Sequence, residues 1–273
     1  MHIGALWIDV QNDFMDNGAL PVPGALESAE TLGRFITDHG DKISHTMCTL
    51  DCHQERHIAH PIMWLDENGR HPDPLTTILS TDYEEGKYRV SCPGAIIDNE
   101  VKRTTFKKWA YDYLKAAEVG RSPLTIWNPH CLIGTAGNNL APVFNEAMRK
   151  WGERRLVQYL SKGSHPFTEH YSAFQAEVPI PTAPSTMLDM DTLEAFKKCD
   201  MILFGGQELF HCVRWTAEDL MTIVGKDDPN FSKFVLLRDT TNVIPVFEDD
   251  ANKWLTAMQG KGMRVETTET IFN

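Results

Sequence analysis

The stretch Cys199-Asp200-Met201-Ile202-Leu203-Phe204-Gly205-Gly206-Gln207-Glu208-Leu209-Phe210-His211-Cys212-Val213-Arg214-Trp215-Thr216 constrains the fold more than any other. A compact apolar run breaks at two glycines, and helical periodicity then runs from Val213 to Ile223. That is the pattern of a buried parallel strand feeding a loop and a helix, the repeating unit of an α/β sheet. Cys212 falls where the helix starts. Free N–H groups and the positive end of the dipole there favour a thiolate and can bind an oxyanion. The competing reading is an inert core cysteine.

The same unit recurs. Strands are predicted at Ile3–Ile8, Ile43–Leu50, Arg155–Leu160, Phe234–Arg238 and Met263–Thr267, and helices at Ala25–His39, Thr104–Val119, Asn139–Trp151 and Asp249–Gln259. Strand–helix alternation without a repeat or a linker predicts one α/β domain over residues 1–273. Its architecture is a three-layer α/β/α stack around a mostly parallel, doubly wound sheet. The prolines and acidic residues between Met63 and Pro123 set that segment apart as an insertion or lid.

Composition narrows the function classes. With 26 basic and 38 acidic side chains the formal charge is −12, which disfavours nucleic acid and anionic membrane as partners. No apolar run approaches membrane-spanning length, and the N-terminus reads as a first strand rather than a leader. The six cysteines show no C-x-x-C and no framework spacing, so free thiols in a reducing cytoplasm are expected.

Chemistry-bearing residues gather at predicted strand ends, where open α/β sheets place their sites. Asp9 closes the first strand, in Asp9-Val10-Gln11-Asn12-Asp13-Phe14; Asp9 and Asp13 are site residues or loop caps. Asp51-Cys52-His53 closes the second. Asp51 and His53, at i and i+2 in extended chain, point the same way and can share an ion such as zinc, iron or manganese. A lone D-x-H, without a distant third ligand, reads as a solvated loop. His130, after Pro129 and before a Gly-rich turn, is a candidate third ligand. Lys162 stands at a strand end as a surface charge or a site residue.

In order, Asp9–Phe14, Asp51-x-His53, Trp127-x-Pro129-His130-Cys131-x-x-Gly134-Thr135, Lys162-Gly163 and His211-Cys212-Val213-x-x-Thr216 resemble the nicotinamidase branch of the isochorismatase-like cysteine hydrolases. The resemblance spans nearly the whole chain except Met63 to Pro123. It implies a catalytic triad of Asp9, Lys162 and Cys212, in which Asp9 takes the thiol proton and later protonates departing ammonia. It also implies a cis peptide at Gln207-Glu208, with the N–H groups of Glu208 and Cys212 as oxyanion hole. The implied metal set is Asp51, His53 and His130 around one divalent transition metal ion, zinc first, iron or manganese otherwise. His57 or His60 is a further ligand or a partner of bound water. Phe14, Trp127 and Tyr171 match the aromatic positions that enclose a planar ring.

The implied activity is hydrolysis of a small aromatic or heteroaromatic amide to acid and ammonia through a thioester, in a homo-oligomer acting on a small molecule. The alternatives are a hydrolase of the same fold for a ureido, carbamoyl or maleamic-type amide, and a non-catalytic binding protein. Three departures stand out. Glu208 replaces a small residue and brings a carboxylate near the leaving group or oxyanion hole. His165-Pro166 enlarges the loop after Lys162. The Met63–Pro123 segment could roof the pocket.

Overall fold

The computed structural model describes residues 1–92, 94–97, 104–225 and 231–273. Six strands form one parallel sheet: β1 (Ile3–Ile8), β2 (His45–Asp51), β3 (Val157–Lys162), β4 (Met201–Gly206), β5 (Phe234–Thr241) and β6 (Arg264–Glu266), in the order β6-β5-β4-β1-β2-β3. β1 is buried at every residue, as a central parallel strand covered on both faces must be.

Alternation along β1 assigns the two layers. Trp7 packs edge-on against Phe35 of α1 (Ala25–His39). Gly4 faces the other way, against Phe196 and Cys199, at the end of a helix over Met190–Lys197. The chain winds outward from β1 through β2 to β3, then crosses to β4 on the other side of β1. The carboxyl ends of β1 and β4 therefore border the point where the strand order reverses, the place where open sheets bind ligands. Only glycine fits at the end of β4. Gly206 has φ 120°, and a Cβ there would lie 1.9 Å from the carbonyl oxygen of Ile8.

Several predicted boundaries shift for local reasons. The helix expected from Asn139 starts at Pro142, where proline takes the first turn, and runs to Gly152. The helix expected from Thr104 runs Phe106–Gly120, because Thr104–Thr105 pair with Ile96–Ile97 and Thr105 caps the first turn. The largest correction concerns Cys212. It does not open an α-helix but sits inside a π-helical turn, Leu209–Val213, that precedes the α-helix Arg214–Val224. The Met190–Lys197 helix was not predicted.

The segment between Met63 and Pro123 carries short strand pairs (Trp64–Asp66 with Tyr88–Val90, Thr77–Ile78 with Leu124–Thr125) and the Phe106–Gly120 helix. Residues 93 and 98–103 of this predicted insertion lie outside the described residues. Its described part props the loop after β3, where Trp109 Nε1 donates to Phe167 O at 2.7 Å, and the Arg214–Val224 helix, where Arg121 pairs with Asp219 at 2.5 Å. Among the described residues no helix is long and apolar enough to cross a membrane.

Candidate active site

Lys162 is the hub. As the last residue of β3 it is paired in register with Asp51, the last residue of β2, and the alternation of both strands turns their side chains the same way. The residue is 2% exposed. Nζ lies 2.9 Å from Asp9 Oδ2, 3.0 Å from Asp51 Oδ1, 3.0 Å from the carbonyl of His170 and 3.4 Å from Cys212 Sγ. Three of these contacts are hydrogen bonds, one for each ammonium proton, and the fourth, to Asp9, is an ion pair. The loop after β3 returns to supply the His170 carbonyl. Gly163 starts that return with φ 76°, where a Cβ would stand 2.7 Å from Asp51 Oδ1.

The neighbours of each acid explain its state. Thr49, two residues before Asp51 on β2, donates to Asp9 Oδ1 and accepts from the Asp9 amide at 3.0 Å. Gln11 clamps the Asp51 backbone, accepting from its amide at 2.7 Å and donating to its carbonyl at 2.8 Å. Burial, helped by Asp51, pushes the Asp9 carboxyl up despite Lys162. Burial alone would raise Asp51 as well, but His53, Lys162 and His130 together hold it well below the usual carboxylate range. Burial also opposes charge on Lys162, yet Asp51, Asp9 and Cys212 outweigh it and keep the ammonium. The Cys212 thiol is pushed well up by burial, with Lys162 pulling the other way. Against the expectation of a thiolate made by a helix terminus, burial favours the protonated sulfur, beside a cation and a carboxylate of raised proton affinity.

Asp51, His53 and His130 converge as a ligand set. His53 Nδ1 faces the carbonyl of Gly163 at 3.1 Å and His130 Nδ1 that of Asn128 at 2.7 Å. A carbonyl requires a donor, so Nδ1 of each ring carries a proton, and Nε2 offers a lone pair whenever the ring is neutral, as a metal ligand must be. Both Nε2 atoms point at Asp51 Oδ2, at 2.9 and 3.3 Å. Lone pairs meeting a carboxylate oxygen, with backbone carbonyls behind each ring, are the donor arrangement of a divalent metal site, and two nitrogens with one oxygen suit zinc, iron or manganese. The candidate ligand atoms of these three residues lie within 4.8 Å of one another, as do those of His53, His57 and His60. His57 turns Nε2 to Thr168 O at 3.1 Å. His60 places Nδ1 on Glu55 O, and its Nε2 is buried without a partner. Of the two histidines left open by the sequence, His60 has the free inward nitrogen. Burial holds it at a pKa of about 3, so that nitrogen carries a lone pair.

A cavity joins these groups. It is lined by Cys212, the metal-type ligands, Phe14, Leu20, Trp127, Tyr171, Ile244, and also Glu169, Glu208 and His211. All three predicted aromatic residues line it, while none of the described residues from 63 to 123 does. The segment expected as a possible roof stands behind the wall instead. Trp127 Nε1 donates to the Tyr171 hydroxyl at 3.0 Å, with the rings perpendicular. About 20 Å³ of free space remains, on the order of one water molecule, so an entering ring must move side chains. The peptide Gln207–Glu208 is cis. The Glu208 carboxylate folds back over the π-turn and accepts from the amides of Phe210 at 3.0 Å and His211 at 2.7 Å.

Sequence reasoning missed Glu169 and Thr49. The run Thr168-Glu169-His170-Tyr171 is buried although three of its members are polar, and polar residues together at a strand-end loop were the available signal. Thr49 shares a face with Asp51 by the period of two.

No protein-family model matches the sequence, and no curated protein matches it. Solved structures do match. The yeast nicotinamidase bound to the inhibitor nicotinaldehyde aligns with a TM-score of 0.66 at 19% identity, over 97% of this chain and 99% of that one. The pyrazinamidase of Pyrococcus horikoshii in complex with zinc aligns at 0.55 and 19%, over 98% and 99%. N-carbamoylsarcosine amidase of Thermoplasma acidophilum aligns at 0.52 and 14%, over 100% of both. At these identities the likeness establishes the fold, the α/β fold of the isochorismatase-like hydrolases.

Proposed function

We propose that the protein is a cysteine amidohydrolase that cleaves a small aromatic or heteroaromatic amide, of the nicotinamide kind, to its acid and ammonia. The observation that carries this reading is the single Lys162 ammonium touching Asp9, Asp51 and Cys212 Sγ at once. It ties a nucleophile, a base and a ligand carboxylate into one unit.

In this scheme Asp9 takes the thiol proton as sulfur attacks the amide carbon. The charge that develops on the carbonyl oxygen falls to the N–H groups of Glu208 and Cys212. Asp9 returns the proton to the amide nitrogen, the C–N bond breaks and ammonia leaves a Cys212 thioester. Water then attacks with Asp9 again as base, the C–S bond breaks, and the sulfur regains its proton. Burial serves both roles, because it raises Asp9 and Cys212 together while Lys162 lowers both. Asp51, His53 and His130 would hold one divalent metal ion, with His60 in reach as a further ligand. The zinc of the Pyrococcus pyrazinamidase supports zinc here. When bound, the ion supplies a Lewis-acid anchor for a polar atom of the substrate. Phe14, Trp127 and Tyr171 would enclose the ring.

The likeness to N-carbamoylsarcosine amidase supports a second reading, hydrolysis of a carbamoyl or ureido amide. Ammonia release from nicotinamide, pyrazinamide, benzamide and N-carbamoylglycine tests both. Cys212→Ala should abolish turnover while retaining fold and metal content, and His130→Ala should lose the stoichiometric ion. Hydrolysis persisting in Cys212→Ala, in protein free of host enzyme, would remove the cysteine from its role.

A further inference from the structure

The wall of the cavity beside Cys212 is rich in hydrogen-bond acceptors. Among the described residues no lysine or arginine lines it. Lys162 lies beneath, its charge already shared by Asp9 and Asp51. Two carboxylates outside the ligand set, Glu169 and Glu208, do line it.

Glu208 is 4% exposed and His211 3%. Besides the two backbone amides it caps, Glu208 Oε1 meets His211 Nδ1. A carboxylate only accepts, so Nδ1 carries a proton, and in the neutral ring Nε2 keeps its lone pair. That nitrogen has no protein partner among the described residues, nor is it one of the fully occluded unpartnered atoms. The ring cannot easily turn away. It is wedged against Phe247, Tyr171 and Trp127, with centroids 4.6, 4.9 and 5.0 Å distant.

We infer that Glu208 and His211 form a charge filter: the site accepts neutral or cationic amides and rejects amides that carry a carboxylate against this wall. The inference rests on the amidase reading and deepens it, because it excludes N-carbamoyl amino acids and maleamic-type acids by a named pair of side chains. A substrate carboxylate here would meet another carboxylate and, at the neutral ring, a lone pair, with no lysine or arginine to replace the water it gave up. Desolvated like charges and unpaired acceptors are the usual means of rejecting the wrong ligand. A neutral amide presents N–H groups that Nε2 can accept. A cationic one gains from Glu208 as well.

The test compares nicotinamide with N-carbamoylglycine and maleamate in wild type and in Glu208→Gln, which keeps a carbonyl oxygen to cap the turn but removes the charge. In wild type kcat/KM should favour nicotinamide. In Glu208→Gln the ratio of anionic to neutral substrate should rise at least about tenfold, the scale expected of one charge at close range in a partly buried site. A purely structural role for Glu208 would lower both substrates together and leave the ratio where it was. Calorimetric binding of the same three compounds to Cys212→Ala reads selection without turnover. Wild type preferring the anionic amides, an unchanged ratio in Glu208→Gln, or equally tight binding of neutral and anionic amides to Cys212→Ala each overturns the filter and leaves the amidase reading standing. Binding and turnover of none of the three overturns both.

Discussion

Lys162 and His211 both approach the Cys212 sulfur, one in space and one in sequence, and both are nearly inaccessible. They are held by different forces. Lys162 projects from a sheet strand and meets oxygens and sulfur, in an ionic cluster whose members come from the ends of β1, β2 and β3. His211 rides on a π-turn and is held by three aromatic rings and one carboxylate. The floor of the cavity is thus set by strand register and charge, the wall by loops and ring packing. The floor suits bond-making, which tolerates little displacement. The wall suits selection, and repacking it would alter which amide enters before it alters the chemistry.

The sharpest way to break this division is Asp9→Asn, which leaves the shape of the floor and removes its proton carrier. Turnover should fall about 10²–10⁴-fold, with the metal retained. Near-normal kcat would strip the floor of its assigned role and leave Cys212 without a base.

A second carboxylate separates ionic support from mere burial. Glu177 stands behind the wall, its amide donating to Glu169 O at 2.8 Å, and both of its carboxylate oxygens are buried without a partner. Burial pushes it up to about 8 from an ordinary 4.5. The native state therefore binds more protons than the unfolded chain between those values. Stability from this group is greatest at the acid end and is lost as pH rises through that window, at up to about 1.4 kcal/mol per unit. Glu177→Gln should flatten that part of the profile of unfolding free energy against pH. An unchanged slope in denaturant titrations from pH 5 to 9 would show that the group is satisfied after all.

The smallest effect belongs to the wall itself. Tyr171→Phe removes the acceptor of the Trp127 indole N–H and leaves that donor buried. A loss of roughly 1–3 kcal/mol in stability is expected, with KM for an aromatic amide rising more than kcat falls. A kcat loss comparable to that of Asp9→Asn would put Tyr171 on the floor.

The floor was legible in the sequence because its residues terminate strands. A run such as Ile3–Ile8 announces burial, and the polar residue that ends it announces a sheet edge. The wall was only half legible. Phe14, Trp127 and Tyr171 came from resemblance, since an aromatic residue beside an apolar run carries no mark that separates a cavity wall from core. The role of Glu208 as cap escaped notice because glutamate is not among the favoured N-cap residues. The Met190–Lys197 helix spans little more than two turns, too short for periodicity to stand out.

β3 is the outermost strand on its side of the sheet, with β2 as its one strand neighbour among the described residues. An edge strand has few contacts to fix its pairing, and a slip of one residue turns every side chain to the opposite face. Here a slip would take Lys162 out of line with Asp51 and leave Asp9 and Asp51 facing each other without a cation. A buried charge that has lost its partner costs several kcal/mol. The ion cluster therefore proofreads the assembly of the sheet: a chain that pairs this strand wrongly is also the chain that cannot settle its charges.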